Sequence, residues 1–130
     1  MYALDTNSVI DFFRGAGRVA ERLLATSPES VALPAVVLYE LEYGVAKSRA
    51  QEHRRAQLAA LVAVTDVLPF GAPEAAVAGR IRAELERAGT PIGPIDTLIA
   101  ATALSRGATL VTRNVREFGR IQGLAVENWF

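Results

Sequence analysis

The chain has 130 residues, 51% of them hydrophobic, with 14 Lys+Arg balanced by 14 Asp+Glu, a single histidine and no cysteine. That length suits one domain, residues 1–130, with enough apolar side chains for a core. The lack of cysteine excludes disulfides and thiolate metal sites and points to a reducing compartment, the cytoplasm, while the lone His53 excludes a multi-histidine zinc site within one chain.

No apolar run approaches the roughly 18 residues of a membrane span, and no basic segment followed by an apolar core opens the chain, so neither an anchor nor a secretory signal is expected. Zero net charge argues against a uniformly basic nucleic-acid glove. The balance still permits a polarised surface, because four acids gathered in one pocket would leave the remainder of the chain at +4.

In chain order, residues 2–4 read as a short strand and 8–14 as a helix, with Thr6 or Asn7 as its cap. Residues 18–25 predict a second helix with Val19, Leu23 and Leu24 on its apolar stripe. "SVALP" holds a second strand closed by Pro34. "AVVLYELEYGVAK" predicts a helix, its length and glutamates outweighing its β-branched residues. A helix over 52–62 and a strand in "TDVLPF" follow. Residues 72–88 predict a helix ended by Gly89 and Pro91, and "PIDTLIAATALSRG" another, starting near Asp96 and ended by Gly107. "ATLVT" and "LAVENW" supply the last two strands. There is no internal repeat. This alternation predicts an α/β fold with a mainly parallel sheet of four to five strands and helices on both faces. Ligands of such sheets sit beyond the carboxyl ends of the strands.

Several acids fall near those ends. Asp5 directly follows the first strand, where it can serve as a helix cap or as a ligand. Glu40 sits among Val36, Val37, Tyr43 and Gly44, and Glu42 among Leu38, Tyr39, Val45 and Ala46, so periodicity does not separate the two. Asp96 opens a helix, again as cap or ligand. Asn114 and Glu117 stand in the loop after the strand that ends at Thr112. Carboxylates converging without His, Cys or a paired Lys repel one another unless a cation joins them. Mg²⁺ or Mn²⁺ suits an all-oxygen site, and such a site suits phosphoryl chemistry.

The blocks "ALDTNSVIDFFRG", "LYELEYGVAKS" and "GTPIGPIDTLIAATALSRGATLVTRNVREFGRIQGLAVENW" resemble, in order and spacing, the PIN-domain ribonucleases. More narrowly they resemble the VapC toxins of toxin–antitoxin pairs, in the enterobacterial-type branch whose members cut initiator tRNA. The resemblance implies a PIN-like α/β/α sandwich and an Mg²⁺- or Mn²⁺-dependent endoribonuclease leaving 5′-phosphate and 3′-hydroxyl ends. It matches Asp5, Glu40 and Asp96 to the family's first three acids, choosing Glu40 over Glu42. At the fourth position "TRN" puts Asn114 where many PIN domains have Asp, and Glu117 of "REF" offers the carboxylate instead. By this resemblance Asp5, Asp96 and Glu117 hold metal and Glu40 binds metal or positions water. Asn114 is a neutral ligand or water-positioning group, and Thr6 and Thr112 are supporting hydroxyls.

The resemblance also implies a VapB-type antitoxin that lays a segment across a toxin groove, and a homodimeric toxin. Tyr39 and Tyr43 suit such a groove or the core. Arg113 and Arg116 adjoin the fourth-strand loop and are expected to meet the RNA backbone. The basic run "KSRAQEHRR" reads instead as a solvated helix face with His53 exposed, and Trp129 as an apolar anchor. Two other classes compete. A phosphotransfer domain with a nucleophilic Asp5 would need a lysine near the phosphate, and the only one, Lys47, lies in the wrong block. A PIN fold reduced to a binding module is suggested by Asn114 and opposed by Asp5, Glu40 and Asp96.

Overall fold

The computed structural model describes residues 1–130. Its centre is a five-stranded, wholly parallel sheet: β1 (Tyr2–Leu4), β2 (Val31–Pro34), β3 (Asp66–Leu68), β4 (Thr109–Val111) and β5 (Val126–Glu127), in the order β3-β2-β1-β4-β5. The inner strands are apolar on both faces, as a parallel sheet covered on two sides requires: Ala3, Leu4, Ala32, Leu33, Leu110 and Val111 are all buried. The edge strand β3 leaves Asp66 and Val67 exposed. The chain runs outward from β1 through β2 to β3, then returns to β4 and β5. The reversal falls between β1 and β4, and ligands of such sheets bind beyond the strands' carboxyl ends at that point.

The helices are α1 (Thr6–Arg14), α2 (Val19–Leu24), α3 (Ala35–Lys47), α4 (Gln51–Val62), α5 (Ala72–Arg87), α6 (Pro94–Ser105) and the single turn α7 (Val115–Phe118). In α3, Val37, Leu41 and Val45 form the buried stripe, one every four residues. Tyr39 and Tyr43 lie on the opposite side, 62% and 58% exposed, so neither is a core residue. Helix α6 is apolar nearly all round, and residues 99–103 are fully buried where it packs on α5 and the sheet. No helix is long and apolar enough to cross a membrane.

Four local expectations change. The cap of α1 is Asp5, not Thr6 or Asn7: its carboxylate accepts the Thr6 N–H at 2.8 Å, and the helix begins at Thr6, two residues before the expected start at Ser8. In α2, Val19 is buried and Leu23 packs on the core, but Leu24 is 86% exposed. Leu23 is four residues from Val19 and returns to the same face, whereas a fifth step turns Leu24 about 140° away. Helix α6 starts at Pro94 with Gly93 as its cap, so Asp96 lies inside the first turn and its side chain is free of capping. The stretch after β4 is not all loop, because residues 115–118 close one helical turn.

Trp129 is the anchor its sequence position suggested. It is buried, meets Tyr2 edge-on at 5.0 Å, and donates from Nε1 to Glu127 at 3.1 Å. Arg22 lies over the indole and pairs with the same glutamate. Trp129→Phe keeps an aromatic ring and removes the N–H. Urea unfolding should show a loss of about 2–3 kcal/mol, roughly 1 kcal/mol for the hydrogen bond and the rest for the smaller buried ring.

Candidate metal centre

The carboxyl ends of β1 and β4 are tied together by two bonds. The Asp5 N–H donates to the Val111 carbonyl at 2.9 Å, and the Ser8 hydroxyl donates to the same carbonyl at 3.0 Å. This fixes Asp5, only 5% exposed, at the carboxyl edge of the sheet. Its Oδ1 accepts the Thr6 N–H and its Oδ2 accepts the Thr112 hydroxyl at 2.8 Å. The Thr112 oxygen in turn accepts the Asn114 N–H at 3.0 Å. The Thr6 hydroxyl reaches across to α3 and donates to Glu40 Oε1 at 2.6 Å. Asn114 Nδ2 donates to Glu117 Oε2 at 2.9 Å, orienting that carboxylate from one turn away. Thr6, Thr112 and Asn114 thus each support one of the acids.

Asp96 enters from α6, half-buried in its first turn. Its carboxyl is pushed up to about 6, first by burial and then by the charges of Asp5, Glu117 and Glu40. Four segments far apart in sequence therefore bring their acids into mutual repulsion. Burial also raises Asp5, against the lowering effect of the bonds from Thr112 and Thr6, and the Glu40 charge adds to the rise. None of the four acids has an ion-pair partner. Glu42 is placed quite differently. It faces Arg55 at 2.6 Å on the outer surface, so the two glutamates that periodicity left tied are separated.

An all-oxygen donor set with surplus negative charge fits a hard divalent cation. No three of the chain's acidic or histidine side chains are gathered closely enough to enclose an ion by themselves. That also fits Mg²⁺, which is usually held by one or two carboxylates with water and substrate phosphate completing its octahedron.

Around the centre, Arg116 is exposed and unpaired. Arg113 lies 3.7 Å from Asp11 and stacks on Phe130. In the 47–55 run Arg55 is taken by Glu42, Arg54 bonds Gln57, and His53 is exposed. A groove runs beside Glu40 between α1, α3 and α4, lined by Ile10, Phe13, Leu41 and Val45 with Arg14 and Arg54 at its polar positions. Tyr39 and Tyr43 do not line it. Sequence reasoning passed over Asp11, a buried acid on α1. The signal was an acid enclosed by apolar residues in "VIDFF".

The fold and this cluster of acids define a class. Residues 2–124 match the PIN domain, and the chain belongs to that family. Within it, the relatives are VapC ribonucleases. The chain is 39% identical over 128 residues to a "tRNA(fMet)-specific endonuclease VapC" of Shigella flexneri, covering 98% of this chain and 97% of that one. It is 40% identical over 106 residues to "Ribonuclease VapC2" of Rickettsia felis, covering 82% and 79%. The fold superposes on the solved VapBC2 of Rickettsia felis, bound to a promoter DNA fragment, with a TM-score of 0.92, 35% identity and 99% and 98% of the two chains covered. For the DNA-bound VapBC of Salmonella typhimurium the TM-score is 0.90, at 38% identity with 99% and 98% covered.

Proposed function

We propose that the chain is a metal-dependent endoribonuclease of the VapC kind, acting on tRNA in the cytoplasm and held inactive by a VapB-type antitoxin. The observation that supports this reading is the mutual charge repulsion felt by Asp96 from Asp5, Glu117 and Glu40, and by Asp5 from Glu40, with no ion-pair partner for any of the four. The names of the relatives supply the substrate class, and the solved VapBC complexes supply the partner.

Asp5, Asp96 and Glu117 would hold Mg²⁺ or Mn²⁺. When bound, the ion supplies water activation and neutralises charge on the phosphate oxygens. Asp5 is fixed at the sheet edge by its own backbone bond and by Thr112. Glu40 has Oε1 occupied by Thr6 and keeps Oε2 to accept a hydrogen bond from the attacking water. Asn114 holds Glu117 in place. Arg113 and Arg116 meet the RNA backbone at the rim. The groove beside Glu40 would take the antitoxin segment, its Arg14 and Arg54 facing acidic residues of that segment. The toxin is a homodimer in this reading.

Incubating the purified protein with total RNA and Mg²⁺ tests the reading: discrete tRNA fragments are expected, and they should disappear on chelation. A well-folded protein that cuts nothing in Mg²⁺ or Mn²⁺ would favour the binding-only module that Asn114 suggests. The fourth acid is tested by a pair of variants in the same assay. Glu117→Gln should lower the cleavage rate roughly 10²- to 10³-fold, as loss of a metal ligand does, and Asn114→Ala, which only loses a support, by roughly 10- to 100-fold. Loss in the Asn114 variant alone would reverse the two roles.

A further inference from the structure

Asp11 has no place in the centre described above, yet it is well buried. Its side chain is only 8% exposed and Oδ2 has no hydrogen-bond partner. Burying a carboxylate oxygen without a hydrogen bond is costly, and a nearby cation is what can offset that cost. The only cation in ion-pair range is Arg113, with Nη1 3.7 Å from Oδ1. That distance is too long for a hydrogen bond, so the pair attracts without consuming the guanidinium donors. Arg113 donates to no other group in the chain.

The plane of the guanidinium is fixed from a second side. Its carbon sits 3.7 Å from the centre of the Phe130 ring, a stacking contact that leaves the edge N–H groups free. Phe130 reaches that position because residue 17 is glycine: a Cβ there would come within 2.6 Å of the ring. In the chain, Arg113 lies between Thr112, which bonds Asp5, and Asn114, which bonds Glu117. Its side chain is 51% exposed.

We propose that Asp11 is a positioning residue: with the Phe130 ring behind it, Asp11 holds Arg113 at the rim of the acidic pocket as a contact for an RNA backbone phosphate. This rests on the endoribonuclease reading. Orientation is gained at little cost in donors, which is what a stacked, ion-paired guanidinium offers a phosphate.

The test is steady-state cleavage of tRNA(fMet) in Mg²⁺ by wild type, Asp11→Asn, Arg113→Ala and the double variant, with KM measured across a KCl series. Asp11→Asn should raise KM by about tenfold and leave kcat within about twofold. Arg113→Ala should raise KM at least as much and reduce the salt slope by about 0.7, the value for one contact to a single strand. The double variant should be no worse than Arg113→Ala. An unchanged KM overturns the proposal, as do penalties that multiply in the double variant. A lowered KM also overturns it, because Asp11 would then be competing with RNA for the arginine. Should Asp11→Asn fail to fold, Phe130→Leu takes its place: a KM rise that vanishes in the Arg113→Ala background supports the proposal, and no rise overturns it. A folded wild type that cuts no RNA overturns the endoribonuclease reading and this inference with it. A wild type that cuts, with unchanged KM in the variants, overturns this inference alone.

Discussion

Asp5→Asn is expected to reduce RNA cleavage by about 10³-fold while leaving the fold intact. The two roles of Asp5 can be separated because asparagine caps helices about as well as aspartate. The amide oxygen can still accept the Thr6 N–H that starts α1. What disappears is the negative charge at the carboxyl edge of β1, where a cation and a phosphate would meet. Loss of one fixed electrostatic partner of a reacting centre commonly costs 10²–10³ in rate, and loss of a metal ligand belongs at the upper end. Far-UV circular dichroism and urea unfolding should be unchanged within about 1 kcal/mol, since the capping bond survives. Undiminished cutting by a folded Asp5→Asn protein would remove Asp5 from the site.

Asp96→Asn is expected to abolish cleavage in the same assay and, unlike most substitutions of a functional residue, to stabilise the metal-free protein. Asp96 is pushed up to about 6 in the fold, from an ordinary value of 3.8. The folded state therefore binds its proton more tightly than the unfolded state, and stability falls as pH rises between those two values. The penalty is absent below about pH 4 and complete above about pH 6. It would amount to about 3 kcal/mol unscreened, and to about 1–2 kcal/mol for a half-exposed group. In EDTA at pH 7.5, Asp96→Asn should melt a few degrees above wild type, and the two should converge at pH 4. Asp5, raised by burial, adds a slope of the same sign that the variant retains. Adding Mg²⁺ should raise the wild-type midpoint and leave that of the variant nearly unmoved, since an ion stabilises only the state that binds it. A variant less stable than wild type at pH 7.5 would contradict the crowding of charges that defines the pocket.

The fold was legible because its signals are local. Short doubly apolar strands such as "VALP" and long periodic helices such as residues 72–88 identify themselves, and their alternation implies parallel crossovers. The helix starts were less legible. Asp5 and Thr6 are both good caps, and the choice depends on where β1 lets go of β4. Leu24 looked like core because stripe membership in a six-residue helix turns on a single 100° step. At the site, residue types and their order were readable, but contacts between distant segments were not. The Thr6–Glu40 bond links positions 34 residues apart, and only that bond, with the Arg55–Glu42 pair, shows physically why one glutamate faces inward and its neighbour outward. Asp11 was illegible for the same reason. Its partner Arg113 lies a hundred residues away, and no periodicity announces the pair. The tyrosines of α3 suited either a groove or the core by composition, and their exposure excludes the core.

The central claim, that acids from β1, α3, α6 and the turn after β4 form one cation site, is tested most directly by crystals grown in MnCl₂ and measured at the manganese absorption edge. The account predicts an anomalous-difference peak in contact with the Asp5 and Asp96 carboxylates, lost in crystals of Asp5→Asn. Manganese bound elsewhere on the chain, with this pocket empty, would contradict it.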